Sequence, residues 1–253
     1  MQLACKVFRL EELHRGWAEK FLKQEMKLMT KLHHRNICAA YDVYKTRSRG
    51  FIFMRYAVNG GLEAYIARHF EEGRLPELPL GRRLFHHLMT GVEYLHSLNV
   101  AHRDLKVENF LLDEDLEPMI TDFGFSVLSK SDAEVPILCS TVCGSTQYLA
   151  PELRLLARGE GGLKEYDAKK ADIYSMGVCL FELLHGYRPF EGAYDIRSKE
   201  LARRQLTGDY RISGRLHLSR DCQLVIRALL EPKVTKRPSA KAALKHAWFS
   251  GLV

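Results

Sequence analysis

The chain carries His102-Arg103-Asp104-Leu105-Lys106-Val107-Glu108-Asn109 and, eighteen residues after Asp104, Asp122-Phe123-Gly124. A carboxylate such as Asp104 can orient a hydroxyl nucleophile and accept its proton. Asn109 and Asp122 offer the hard oxygen ligands that Mg²⁺ prefers, and Lys106 can neutralise negative charge that develops in a transition state. Each residue alone would most often be a solvated turn residue, but the ordered and spaced set predicts a catalytic site.

The composition is that of a soluble globular protein. With 253 residues, 46% of them apolar and 27% charged, the chain can form one large domain or two small lobes. The net charge of +7 is spread along the chain, which favours a solvated basic surface over a nucleic-acid partner. We expect no membrane partner, since no run approaches eighteen apolar residues. The cysteines form no C-x-x-C pair, so we expect reduced thiols and a cytoplasmic location, with nuclear entry left open.

Hydrophobic periodicity divides the chain into a strand-rich front and a helical remainder. Strands are predicted at residues 2–8, 39–44 and 51–57, and a helix at 21–32. Glu25 falls within the apolar stripe of that helix, formed by Phe21, Leu22, Leu28, Met29 and Leu32. An inward carboxylate is costly without a partner, so a cation is expected beside it. The turn residues Asn59-Gly60-Gly61 mark the predicted boundary, and later helices are predicted around 84–95, 173–184, 224–230 and 240–248.

In order and spacing, these motifs resemble those of the protein kinase family along nearly the whole chain. The resemblance implies an α+β, bilobal fold, with a small β-rich lobe at residues 1–57 and a mainly helical lobe at 58–253. It also implies a transferase that moves the γ-phosphate of ATP to Ser or Thr hydroxyls of protein substrates. Asp104 would orient the hydroxyl, Asn109 and Asp122 would hold Mg²⁺, and Lys106 would stabilise the transferred charge.

The nucleotide-binding residues follow from the same resemblance. Leu3-Ala4-Cys5-Lys6 resembles the strand that carries the ATP-binding lysine, and Glu25, nineteen residues later, would pair with Lys6. The segment from Met54 and Arg55 to Ala57 resembles the hinge that binds adenine through backbone groups. Ala4 and Leu111 would sandwich the adenine ring, although ordinary core packing would explain their burial equally well.

Further residues match the family's activation segment and its supports. Ala150-Pro151-Glu152 resembles the end of that segment, which would open at Asp122, and Glu152 would pair with Arg237. Asp172 could simply be a helix N-cap; the resemblance implies that it also braces the backbone of the catalytic loop, residues 102–109, and both roles can hold at once. Thr141 stands where relatives carry an activating phosphothreonine, so an activating kinase is a possible partner, and its phosphate would pair with Arg103.

Lys106 and the run Cys143-Gly144-Ser145 favour specificity for serine and threonine. With the ending His246-Ala247-Trp248-Phe249, they resemble the calmodulin-dependent kinase group, and within it the testis-specific serine kinases most of all.

One family motif is absent from the sequence. Only five residues precede Lys6, and no G-x-G-x-x-G occurs anywhere. The resemblance therefore implies an N-terminally truncated small lobe of three strands and one helix, with weak binding of ATP. Two alternatives remain: a pseudokinase or scaffold that binds protein partners, and a basic nucleic-acid-binding domain supported by net charge alone.

Overall fold

The computed structural model describes residues 2–10, 25–71, 78–129, 135–191 and 195–252. A small strand-rich region is followed by a helical remainder, which confirms the predicted α+β class. Positions 21–24 of the first predicted helix, including Phe21 and Leu22, lie outside the described residues. Within the described part of the chain, no helix is both long enough and apolar enough to cross a membrane.

The strand-rich region is a three-stranded antiparallel sheet in the order β1-β3-β2. Its strands are β1 (Leu3–Arg9), β2 (Ala40–Lys45) and β3 (Arg49–Arg55). Side chains of β1 alternate between an exposed face and a half-buried face, and Lys6 lies on the half-buried one. β3 begins two residues earlier than predicted, because Thr46 and Arg49 close the turn with a backbone hydrogen bond of 2.8 Å.

Helix α1 is described at residues 25–29. Its inward side chains Leu28 and Met29 are 4% and 1% exposed, and Glu25 on the same side is only 2% exposed. The sequence therefore placed this carboxylate correctly on the buried face, where the expected cation meets it.

The helical region is built around two long helices. Helix α3 (Leu78–Ser97) buries Leu84, Phe85, Leu88, Val92 and Leu95 completely, as its periodicity predicted. Helix α5 (Ala168–His185) is buried on nearly all sides and ends at Gly186, which adopts a left-handed conformation with φ of 76°. The helices are α2 (Leu62–Glu71), α3 (Leu78–Ser97), α4 (Pro151–Arg158), α5 (Ala168–His185), α6 (Lys199–Thr207), α7 (Arg220–Leu229) and α8 (Ala240–Leu244).

Two helix predictions need correction. Asp172 does not cap α5: the N-cap is Asp167, whose carboxylate accepts hydrogen bonds from two backbone N–H groups of the first turn. The predicted helix at 240–248 ends at Leu244, because the backbone of His246 is extended (φ −64°, ψ 142°) and its ring accepts a hydrogen bond from the Trp248 N–H.

Short strand pairs carry the polar motifs. They are β4 (Val100–Ala101) with β7 (Val127–Leu128), β5 (Phe110–Leu112) with β6 (Pro118–Ile120), and β8 (Leu138–Cys139) with β9 (Tyr166–Asp167). The loop at 102–109 connects β4 to β5, and the segment containing Asp122 connects β6 to β7. Pairing of these strands brings the two loops together. A hydrogen bond of 2.9 Å from the Thr121 N–H to the Asn109 carbonyl also joins them.

Candidate active site

Lys6, Glu25 and Asp122 form one polar cluster. The Nζ of Lys6 lies 2.7 Å from Glu25 Oε1 and 3.0 Å from Asp122 Oδ1. Strand β1 presents the lysine, α1 presents Glu25, and Asp122 adopts a left-handed backbone conformation with φ of 67°. The expected ion pair with Glu25 is therefore present, and it contains a second carboxylate that the sequence analysis did not anticipate as a partner.

The pKa directions in this cluster follow from burial and from the shared cation. Burial raises the pKa of Glu25 more than Lys6 lowers it. Burial acts to raise the pKa of Asp122, but the charge and hydrogen bond of Lys6, together with His102 and the Gly124 N–H, outweigh it, so this pKa is lowered. The pKa of Lys6 is raised, since burial is outweighed by its two carboxylate neighbours. At neutral pH the lysine is charged and Asp122 is ionised.

Asp104 is the centre of a second cluster. Its side chain accepts a hydrogen bond of 2.7 Å from the Ser145 N–H to Oδ1, and Lys106 Nζ lies 3.4 Å from Oδ2. Asn109 Nδ2 donates to the Asp104 carbonyl at 2.9 Å and approaches Oδ2 at 3.4 Å. Lys106 Nζ also donates to Ser145 Oγ at 2.8 Å. The arrangement holds a 7% exposed carboxylate in one orientation.

The backbone of the catalytic loop is held by Asp172. One oxygen of this 1% exposed carboxylate accepts the His102 N–H, and the other accepts the Arg103 N–H, both at 2.8 Å. His96 Nε2 lies 2.9 Å from Oδ2 of the same group. The bracing expected of Asp172 is thus present, although the helix cap is not. His96 was not recognised from the sequence.

Arg103 contacts the segment that carries Thr141. Its Nη2 donates to the Thr141 carbonyl at 2.7 Å, and its Nε donates to the Tyr166 hydroxyl at 3.0 Å. Thr141 itself is exposed. The backbone of Gly144 passes very close to the Arg103 carbonyl: an added Cβ would lie 2.4 Å from its oxygen. The φ of 98° also favours glycine at this position.

The predicted adenine-binding residues lie on β1, on β3 and the residues that follow it, and on β5. Ala4 pairs with Met54 across β1 and β3, and Leu111 forms a bridge to Gly61. Met54 is 6% exposed, whereas Ala4, Arg55, Ala57 and Leu111 are half-buried or more open. The Arg55 side chain is directed to Asp113, with Nη2 3.0 Å from Oδ2.

A buried ion pair closes the far end of the activation segment. Arg237 donates to both oxygens of Glu152, at 2.7 and 3.0 Å, as expected from the sequence. Ser145 is the main contributor to the site whose contacts the sequence does not indicate. It stands next to Gly144 in a family-like run, but no local pattern indicates a hydrogen bond to a carboxylate 41 residues away.

Comparison with known proteins accounts for this arrangement. The family model described as "Protein kinase domain" matches residues 1–249. CBL-interacting protein kinase 30 of Oryza sativa subsp. japonica is 38% identical over 98% of the chain, and CBL-interacting protein kinase 26 of the same rice is 34% identical over 98%. Testis-specific serine/threonine-protein kinase 1 of Mus musculus is 34% identical over 97%.

The aligned region spans 48%, 46% and 64%, respectively, of the lengths of these relatives. The resemblance drawn from the motifs is confirmed, and a testis-specific serine/threonine kinase is among the relatives. Since the family model extends over nearly all of the chain, from the strand of Lys6 to the last helical turn, this protein belongs to the protein kinase family.

Proposed function

We propose that the chain is a serine/threonine protein kinase that transfers the γ-phosphate of ATP to hydroxyl groups of proteins. The observation that carries the proposal is the Asp104 carboxylate, held between the Ser145 N–H, Lys106 and Asn109. A carboxylate fixed in this way can orient a serine or threonine hydroxyl and accept its proton as the phosphorus–oxygen bond forms.

Asn109 and Asp122 are suitable ligands for Mg²⁺. The amide nitrogen of Asn109 is committed to Asp104, so its oxygen is the atom left for a cation. The lowered pKa of Asp122 keeps its carboxylate ionised, and these hard oxygens match the preference of Mg²⁺. Bound by these two residues, Mg²⁺ would supply positive charge to neutralise the phosphates of ATP.

Lys6 would bind phosphate oxygens, and Glu25 would hold the lysine in place through their 2.7 Å contact. Lys106, between Asp104 and Ser145, would stabilise charge on the transferred group. For the adenine ring we assign the apolar side chains of Ala4, Met54 and Leu111; Met54 is buried, and the other two are half-buried and packed against the hydrophobic core. Backbone groups between Arg55 and Ala57 would supply the polar contacts.

Serine and threonine acceptors are favoured by two observations. Lys106 spans from the proposed base to Ser145, so a cation lies beside the acceptor position. The mouse relative is named a serine/threonine-protein kinase, and the rice relatives are named protein kinases. We also propose a cytoplasmic location, which is supported by six cysteines without disulfide bonds.

We further propose that an activating kinase phosphorylates Thr141. The Arg103 guanidinium is 2.7 Å from the Thr141 carbonyl, so a phosphate on the exposed hydroxyl would be within reach of a charge already in place. A phosphate carries up to two negative charges and strong acceptor oxygens, which would strengthen this contact.

The test of activity is transfer of labelled phosphate from Mg²⁺·ATP to a mixture of serine and threonine peptides. Asp104→Asn should lower the transfer rate by about 10²–10⁴-fold, because the amide cannot accept the proton. Asp115→Asn, at an exposed carboxylate after β5, is the matched control and should leave the rate unchanged. Equal rates for wild type and Asp104→Asn would refute the assignment. Absence of transfer by the wild type would favour the alternative, a pseudokinase or scaffold.

A further inference from the structure

Arg154 on α4 is a fully buried cation with an unusual set of partners. Its side chain is 0% exposed, and its Nη2 donates to the Thr146 carbonyl. Its Nη1 lies 3.3 Å from the Asp195 carbonyl and 3.4 Å from the Ile196 carbonyl, and its Nε is buried without a partner. Among the residues that the structure describes, every hydrogen-bond acceptor of this guanidinium is thus a backbone carbonyl.

A buried charge without a carboxylate partner is costly. Burial accordingly lowers the pKa of Arg154. A leucine or methionine would fill the same volume without that cost. A planar group with five donors offers something that they lack, because it can hold carbonyls from separate segments at the same time. At this position those segments are the end of the activation segment and the loop that precedes α6.

The carbonyl held by Arg154 lies next to the reaction centre. Thr146 follows Ser145, whose N–H donates to Asp104 and whose hydroxyl accepts from Lys106. A shift of the Thr146 backbone would therefore move the group that orients the proposed base, as well as the surface beside it. If Asp104 orients the acceptor hydroxyl, the chain that flanks this hydroxyl would lie against that surface.

Two other side chains hold the same stretch further along. Ser175 Oγ donates to the Tyr148 carbonyl at 2.9 Å, and Gln205 Nε2, 1% exposed, donates to the Leu149 carbonyl at 2.9 Å. We define residues 145–149 as the acceptor ledge. Its backbone carbonyls accept hydrogen bonds from side chains of α4, α5 and α6. Of these side chains, Arg154 binds the carbonyl next to Ser145, which is the residue that contacts Asp104.

We propose that Arg154 is a positioning residue for the protein substrate, fixing the acceptor ledge against residues 195–196. The proposal rests on the protein kinase function given above and deepens it. Loss of Arg154 should weaken the binding of acceptor peptides while leaving the nucleotide-binding cluster of Lys6, Glu25 and Asp122 intact. None of those three residues contacts Arg154.

The experiment compares Arg154→Met and Arg154→Lys with wild type, and with Arg203→Met as a control at an exposed arginine of α6. For Arg154→Met, the KM for a peptide substrate should rise by at least about tenfold, as expected when charge-assisted hydrogen bonds to a substrate-binding segment are lost. The KM for ATP and the hydrolysis of ATP without peptide should stay within about twofold of wild type. Arg154→Lys keeps the charge but lacks the planar group with five donors, so its KM for peptide should be intermediate.

Two results would overturn the role of Arg154. An unchanged KM for peptide in Arg154→Met would show that the ledge does not depend on this side chain. A parallel loss of ATP hydrolysis and peptide phosphorylation would show general support of the fold instead. Peptide affinity measured by fluorescence anisotropy needs no turnover. Equal affinities of wild type and Arg154→Met there would refute the positioning role, whereas absent transfer with weakened affinity would refute only the kinase activity.

Discussion

The ion pair between Arg237 and Glu152 should make a large contribution to stability. Both terminal nitrogens of the Arg237 guanidinium, Nη1 and Nη2, bind the carboxylate, at 2.7 and 3.0 Å, and the two side chains are 0% and 6% exposed. Arg237→Met fills a similar volume but leaves the carboxylate buried and unpaired. Removal of one partner of a buried pair typically costs about 3–5 kcal/mol.

Other contacts of Arg237 place the expected loss in the upper part of that range. Its Nη1 donates to the Lys170 carbonyl at 2.8 Å, its Nε donates to the Glu231 carbonyl at 2.9 Å, and its guanidinium lies 5.0 Å from the centre of the Tyr174 ring. In a chain of this size each kcal/mol corresponds to about 2–4 °C, so the midpoint of thermal unfolding should fall by about 8–20 °C.

The assay is urea and thermal unfolding of Arg237→Met, Glu152→Leu and the double variant, with Arg203→Met as an exposed control that should behave as wild type. The double variant should be less destabilised than the sum of the singles, because it removes both charges together. A loss below about 1 kcal/mol for Arg237→Met, or strict additivity in the double variant, would refute the reasoning.

Two further predictions concern phosphorylation and pH. Thr141→Ala should be about tenfold less active than phosphorylated wild type, and phosphatase should not change its activity. Ser140→Ala is the neighbouring control. Full activity of Thr141→Ala, with no effect of phosphatase on wild type, would exclude the switch. His185 donates a hydrogen bond from Nδ1 to the Phe181 carbonyl, and its Nε2 accepts one of 3.3 Å from the Ser213 N–H. Burial lowers the pKa of this imidazole. The unfolded chain binds the proton more tightly, so wild-type stability should fall as pH drops below about 6.5, by at most about 1.4 kcal/mol per pH unit. Urea titrations at pH 8 and pH 5.5 should show that His185→Gln loses less free energy of unfolding between these pH values than wild type does. Equal losses in the two proteins would contradict the assignment.

Features that depend on residues close together in the sequence could be predicted from it. Contacts between residues far apart in the chain could be predicted only in part. The hydrophobic spacing of α3 and α5 is a property of each helix alone, so their buried faces followed directly. The need for a cation beside Glu25 also followed, because burial of a carboxylate on an apolar stripe is costly. That Asp122 would share the same lysine did not follow, since it lies 116 residues away.

The N-cap of α5 shows why local sequence does not settle where a helix begins. Asp167 and Asp172 are both near the start of α5, and either could cap it by residue type. The carboxylate of Asp172 instead binds two N–H groups of the catalytic loop, about 70 residues earlier in the chain. A tertiary contact therefore decided between two positions that local propensity treats alike.

The activation segment holds the catalytic loop at two points, and this couples the state of the segment to the orientation of the proposed base. Ser145 binds the Asp104 side chain directly, while the carbonyl of Thr141 binds the Arg103 guanidinium. Arg103 is itself fixed by its backbone N–H to Asp172, and its φ of 68° leaves little conformational freedom. On these proposals, ordering of the segment around Thr141 would act on Asp104 through the adjacent Arg103, and Arg154 would act on it through Thr146 and Ser145. The orientation of the Asp104 carboxylate would then depend on the whole segment between Thr141 and Arg154.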